Sequence, residues 1–167
     1  MSMLDPEPLV DPVLSWSEVY TICQSLAHRM RPVPPDTIVG IARGGLAPAA
    51  ILSHMLGVRD VRSVQVACTA SDYRDATRLA EVTVGDPASI GNLTGRSVLI
   101  VDDIVTTGRT MARVQALCGA AGTSIIRTAV LALKSHRPTL DSVPRDLTGF
   151  GVRCVGWVTF PWETEVR

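Results

Sequence analysis

The 167-residue sequence has no excess charge of either sign: sixteen Lys and Arg balance sixteen Asp and Glu. Without a basic excess there is no field to draw in nucleic acid or an anionic lipid surface. No nucleic-acid partner and no membrane partner is therefore expected. No apolar run reaches the roughly 20 residues that a bilayer span requires. Residues 1–12 are acidic and proline-bearing, which is the opposite of a secretion signal. Cysteines are few and scattered, at Cys23, Cys68, Cys118 and Cys154, and no pair has a redox or zinc-like spacing. Reduced thiols and a cytoplasmic location are the expectation. There is no internal repeat and no low-complexity tract. What the chain does have is hydrophobic content, 46% of residues. At this length that is enough for one buried core, so a single domain over residues 1–167 is expected.

Ser15-Trp16-Ser17-Glu18 reads as a capping box, and Val19, Ile22, Cys23, Leu26 and Met30 then fall on one helical face before Pro32, Pro34 and Pro35. Thr37 to Ile41 reads as a strand and Leu46 to Leu56 as a helix closed by Gly57. Val61 to Thr69 and Val98 to Asp102 follow as strands, then a helix after Arg109 that closes at Gly122, then a strand from Ile125 to Leu133. Strands alternating with helices imply an α/β domain with a mostly parallel central sheet flanked by helices. Ligands in such sheets sit beyond the carboxyl ends of the strands. Residues 70–96, polar and glycine-bearing, read as a flexible loop or β-ribbon flap. Residues 139–167 read as a small C-terminal hood over the site.

The most informative stretch is Val98-Leu99-Ile100-Val101-Asp102-Asp103-Ile104-Val105-Thr106-Thr107-Gly108-Arg109-Thr110-Met111. An apolar strand ends in two carboxylates, and a hydroxyl-glycine turn leads into a helix. Such a turn aims several backbone N–H groups at one spot beside the positive end of a helix dipole, an arrangement suited to phosphate. Adjacent carboxylates at a strand end face opposite ways, so one can reach sugar hydroxyls while the other serves a hydrated metal. A phosphorylated sugar is the implied ligand.

This segment resembles the phosphoribosyl-pyrophosphate signature of the type I phosphoribosyltransferases. The resemblance implies that Asp102 and Asp103 address the ribose hydroxyls and a Mg²⁺ ion, and that Thr106, Thr107, Gly108, Arg109 and Thr110 hold the 5′-phosphate. Ala42-Arg43-Gly44-Gly45 resembles the family's pyrophosphate loop, with backbone amides near Arg43 and Gly44 on the leaving diphosphate. In the family this loop often carries a non-trans peptide bond. Ser71-Asp72-Tyr73-Arg74 sits where the family keeps a catalytic loop, and Arg74 is the residue expected to reach the pyrophosphate on closure. Lys134, Trp157 and Val158, with the Pro-Trp-acid run ending at Glu163, resemble the base-binding end of bacterial xanthine-guanine and hypoxanthine-guanine phosphoribosyltransferases. There a lysine meets the 6-oxo group and a tryptophan stacks on the ring.

One position departs from that pattern. Thr106 stands where 6-oxopurine enzymes of the family usually have an aspartate, and enzymes for other bases often have alanine or threonine. The reading is transfer of phosphoribosyl from phosphoribosyl pyrophosphate to free guanine, hypoxanthine or xanthine. Two alternatives stay open: a pyrimidine or adenine enzyme, and an RNA-binding regulator of pyrimidine genes on the same fold. His136 reads as an ordinary loop histidine. Family members are commonly dimers or tetramers, so a homo-oligomer is expected.

Overall fold

The computed structural model describes residues 8–69, 78–134 and 147–163. In chain order the elements are β1 (Leu9–Val10), α1 (Trp16–Met30), β2 (Thr37–Ala42), α2 (Leu46–Leu56), β3 (Asp60–Thr69), β4 (Arg78–Val84), a 3-10 turn (Pro87–Ile90), β5 (Ser97–Val105), α3 (Arg109–Ala120), β6 (Ile125–Lys134) and β7 (Gly149–Val155). The seven strands form one sheet in the order β1-β7-β6-β5-β2-β3-β4. Every pairing is parallel except β3 with β4. No helix among the described residues is long and apolar enough to cross a membrane.

The α/β expectation holds, and the reason lies in the strands. Successive side chains of a strand face opposite sides of the sheet. On β5, Leu99 and Val101 join a core layer with α1 and α2, while Val98 and Ile100 join the opposite layer with α3. A strand covered on both faces has no room for polar alternation, hence the unbroken Val-Leu-Ile-Val run. The capping box at α1 is formed in both directions: the Ser15 amide donates to Glu18 Oε2 at 2.7 Å, and the Glu18 amide to Ser15 Oγ at 3.3 Å. All five residues expected on the inner face of α1 are buried.

Three segments differ from the sequence reading. β5 runs through both aspartates to Val105, so the acid pair lies within the strand's last turn of pleat and not after it. In the segment read as a flap, β4 does pair antiparallel with β3, but its far end is anchored: Ile90 and Leu93 are fully buried, and Arg62 donates to the Asn92 carbonyl at 2.9 Å. In the tail, the described part of the expected hood begins as a strand of the central sheet. β7 lies parallel between β6 and β1, and residues 156–163 follow it along the amino-terminal segment, with Thr159 bridged to Val13.

Candidate active site

The sheet's chain order reverses between β5 and β2, the place where loops from neighbouring strands diverge and leave a crevice. Four loops leave the carboxyl ends of adjacent strands there: 43–45 after β2, 106–108 after β5, the Lys134 end of β6, and 156–163 after β7. The signature residues thus gather at one edge of the sheet although they are spread from position 43 to position 158.

Asp102 and Asp103 stand at the centre of that edge. Asp102 is 8% exposed. Its Oδ1 accepts the Asp103 amide at 3.0 Å, and Asp103 Oδ1 accepts the Ile104 amide at 2.7 Å. Burial is the main cause that pushes the Asp102 carboxyl well above the usual carboxylate range, and the neighbouring Asp103 charge adds to it. Asp103 is also pushed up, first by burial, with the charge of Glu163 contributing. Two adjacent buried carboxylates at a strand end are groups that gain from a cation.

The glycine loop is built against this pair. Gly44 lies so close to Asp103 that a Cβ there would overlap its carboxylate. A Cβ on Gly45 would meet the carbonyl of Val101, and the carbonyl and amide of Ile41 at 2.7 and 2.9 Å. Side chains at these two positions would push β2's loop off β5, so the Gly-Gly sequence is what lets the loop touch the acid pair. The Ala42–Arg43 peptide is cis, as the resemblance anticipated. α2 follows directly, capped at Gly45 with no side-chain bond.

On the other side of the acid pair, Thr106 and Thr110 are half-buried, Thr107 and Arg109 are exposed, and α3 opens at Gly108 in the left-handed conformation with no side-chain cap. The amino end of α3, with its partial positive charge, thus follows directly on the acid-bearing strand. Met111, Val114 and Cys118 face inward and are buried, so they belong to the core.

Lys134 is half-buried at the end of β6, in register with Cys154 of β7. Burial raises the Cys154 thiol, and the Lys134 charge partly offsets the rise. Trp157 follows β7 by two residues and is half-buried. Val158 is 4% exposed and its side chain belongs to the core with Phe160. Phe160 stacks on Trp162 at 4.9 Å, and Trp162 in turn meets Trp16 at 5.7 Å. That aromatic stack fastens the 156–163 loop to the start of α1. Arg74 and His136 lie outside the described residues.

Sequence reasoning gave no site role to Gly45, and it touched Glu163 only as the end of the Pro-Trp-acid run.

A model of the phosphoribosyl transferase domain matches residues 13–167. The chain belongs to the phosphoribosyltransferase family. This phosphoribosyltransferase is 33% identical to a xanthine-guanine phosphoribosyltransferase of Ruegeria sp. (strain TM1040), over 92% of this chain and 86% of that one. A purine phosphoribosyltransferase from Pyrococcus horikoshii Ot3 has the same fold, with a TM-score of 0.74 and 32% identity over 91% of this chain and 93% of that one. A xanthine-guanine-hypoxanthine phosphoribosyltransferase of Helicobacter pylori, 17% identical with a TM-score of 0.69, covers 93% of this chain and 95% of itself, and bears on the fold alone.

Among the described residues no group of three or more His, Cys, Asp or Glu side chains is placed to hold a metal ion. The adjacent carboxylates of Asp102 and Asp103 are hard oxygen donors of the kind that suits Mg²⁺, a cation that keeps several waters and binds through one or two carboxylates together with substrate phosphates.

Proposed function

We propose that this phosphoribosyltransferase moves the 5-phosphoribosyl group of phosphoribosyl pyrophosphate onto a 6-oxopurine, guanine, hypoxanthine or xanthine, giving the nucleoside 5′-monophosphate and pyrophosphate. The observation that carries the reading is the order of loops along the sheet. Trp157 after β7, Lys134 at the end of β6, the acid pair and phosphate turn on β5, and the Gly44-Gly45 loop after β2 follow one another on adjacent strands. Base, ribose and diphosphate follow one another in the same order in the reacting complex.

In this transfer, positive charge grows on C1′ as the diphosphate departs with negative charge, so catalysis is mostly positioning and electrostatic stabilisation. Asp102 and Asp103 take the ribose hydroxyls and would hold Mg²⁺, which when bound supplies positive charge to the diphosphate oxygens. Amides of the 43–45 loop meet the leaving diphosphate. Amides of residues 106–110, with the Thr107 and Thr110 hydroxyls, fix the 5′-phosphate at the start of α3. The resemblance assigns Arg74, outside the described residues, to the leaving diphosphate, and exclusion of water there lets the base and not water capture the sugar. Lys134 donates to the purine 6-oxo oxygen and the Trp157 ring stacks on the base. Val158 meets the base through its backbone, because its side chain is in the core. Thr106 has no group that titrates near neutrality, so it takes no proton from the base. The proton lost by the ring nitrogen leaves with the departing diphosphate, the basic group that the reaction itself supplies.

The experiment is Lys134→Ala, with steady-state constants measured separately for guanine and for phosphoribosyl pyrophosphate. Loss of a charged hydrogen bond to the base raises the KM for guanine about 10- to 100-fold, with the KM for phosphoribosyl pyrophosphate within about twofold. An equal rise in both would overturn Lys134 as the base reader.

A further inference from the structure

From the way the amino-terminal segment lies along β7, we infer that Asp11 is a positioning residue for the base site, holding the backbone of Trp157 in its stacking place. The inference rests on the reading of Trp157 as the stacking ring.

The amino-terminal segment runs parallel to the end of β7 and beyond it. Leu9 and Val10 pair with Cys154 and Val155, and Val13 bridges to Thr159. Between those two pairings, residues 11 and 12 face residues 156, 157 and 158, so the β7 side carries one residue more. The extra length bulges out, and Trp157 is in the bulge. A two-against-three mismatch in a ladder leaves backbone groups without their regular partners. Asp11 supplies them. Its amide donates to the Val155 carbonyl at 3.0 Å, and its carboxylate accepts the Trp157 amide through Oδ1.

Two backbone features exist to permit this. Asp11 has φ +42°, the one positive φ outside glycine among the described residues, a conformation that Asp and Asn tolerate better than other side chains. Gly156 has φ +81°, and a Cβ there would overlap the Asp11 carboxylate. The carboxylate therefore lies directly on the chain at Gly156, where it accepts the next amide, that of Trp157. Beyond the bulge the strands close again: Leu14 donates to the Thr159 carbonyl at 2.9 Å and Thr159 to the Pro12 carbonyl at 2.9 Å. Leu14 is buried in the core, so the brace has a fixed foot. With both flanks of the bulge fixed, the Asp11 carboxylate holds the Trp157 backbone between them.

The test uses three variants in the full chain. Asp11→Gly accepts the positive φ but removes the acceptor. Asp11→Asn keeps both an acceptor oxygen and tolerance of that φ. Trp157→Ala removes the ring. Asp11→Gly is expected to raise the KM for guanine about tenfold, with the KM for phosphoribosyl pyrophosphate unchanged, and Asp11→Asn to stay within about twofold of the wild type in both. If Trp157→Ala raises the KM for guanine while Asp11→Gly leaves it unchanged, the positioning role is overturned and the stacking role stands. If Asp11→Gly raises both constants together, or Asp11→Asn fails to rescue, Asp11 serves the fold at large and the inference is overturned. If Trp157→Ala leaves the KM for guanine unchanged, the stacking role itself is wrong and the inference falls with it.

Discussion

Gly44→Ala is a one-carbon change with a large expected effect, because of what stands opposite. The added methyl would overlap the Asp103 carboxylate, with even its farther oxygen at 2.8 Å, whereas ordinary van der Waals contact begins near 3.4 Å. Either the carboxylate or the loop must retreat by about an ångström, and misplacement of that size in a reacting constellation costs roughly 100-fold in rate. A 100-fold loss corresponds to about 2.7 kcal/mol of transition-state stabilisation. Stability is expected to move much less, since Gly44 is half-buried in the loop at the end of β2, which can yield toward solvent. A cost of about 1 kcal/mol would lower the thermal midpoint of a domain this size by roughly 2–4 °C. Gly119→Ala is the control. It sits near the end of α3 with nothing within 4 Å of a built Cβ, so the substitution should raise the midpoint slightly through helix propensity and leave turnover alone. The assay is kcat/KM for phosphoribosyl transfer beside differential scanning calorimetry of each variant. Activity of Gly44→Ala within threefold of the wild type would refute the contact between the glycine loop and a working Asp103.

Asp102→Asn combined with Asp103→Asn should lower transfer at least about 100-fold while raising the midpoint of the ligand-free protein at neutral pH. Burial pushes both carboxyls up, so ionising them costs the folded state. The sign follows from linkage: both groups are neutral below the unfolded value of about 3.9, so the variant's advantage must vanish toward pH 3. A lower midpoint at neutral pH would contradict this. Asp60→Ala acts at the amino ends of the strands, away from the site. Asp60 accepts from Thr37 at 2.8 Å, Arg96 at 2.7 Å and Arg62 at 2.9 and 3.0 Å, and the Arg62 bond is the main cause that holds its carboxyl below the usual range. That contribution is present above the unfolded value and is lost as pH falls through the lower folded value. After allowance for partial exposure, the variant should lose about 1 kcal/mol, keep wild-type kcat/KM, and show a deficit that shrinks as pH falls below the unfolded value of about 3.9. An activity loss, or a deficit that persists in acid, would count against the network.

How much was legible depended on whether the signal was local. The capping box at Ser15 and Glu18, the helix from about Leu46 to Leu56 closed by Gly57, and α3 after Arg109 were readable because caps and periodicity are properties of neighbouring residues. The placement of β7 beside β6, and of Leu9–Val10 beside β7, was not, because parallel pairing joins distant segments through backbone groups that every residue has. The same divide runs through the site. Asp102 to Thr110 is contiguous and could be read directly. The seating of Gly44 on Asp103 joins residues far apart in sequence, and only the resemblance suggested that the two loops belong together. Val158 shows the converse: its position beside Trp157 suggested the base, while the loop after β7 turns its side chain into the core.

The most direct test is phosphoribosyl transfer by the wild-type protein with Mg²⁺ and phosphoribosyl pyrophosphate across guanine, hypoxanthine, xanthine, adenine, uracil and orotate. The account predicts turnover of at least one oxopurine with kcat/KM well above those for adenine, uracil and orotate, with Thr106 standing where an aspartate is usual. Turnover confined to adenine, uracil or orotate would contradict it, and would mean that Thr106, not Lys134 and Trp157, marks the base this enzyme uses.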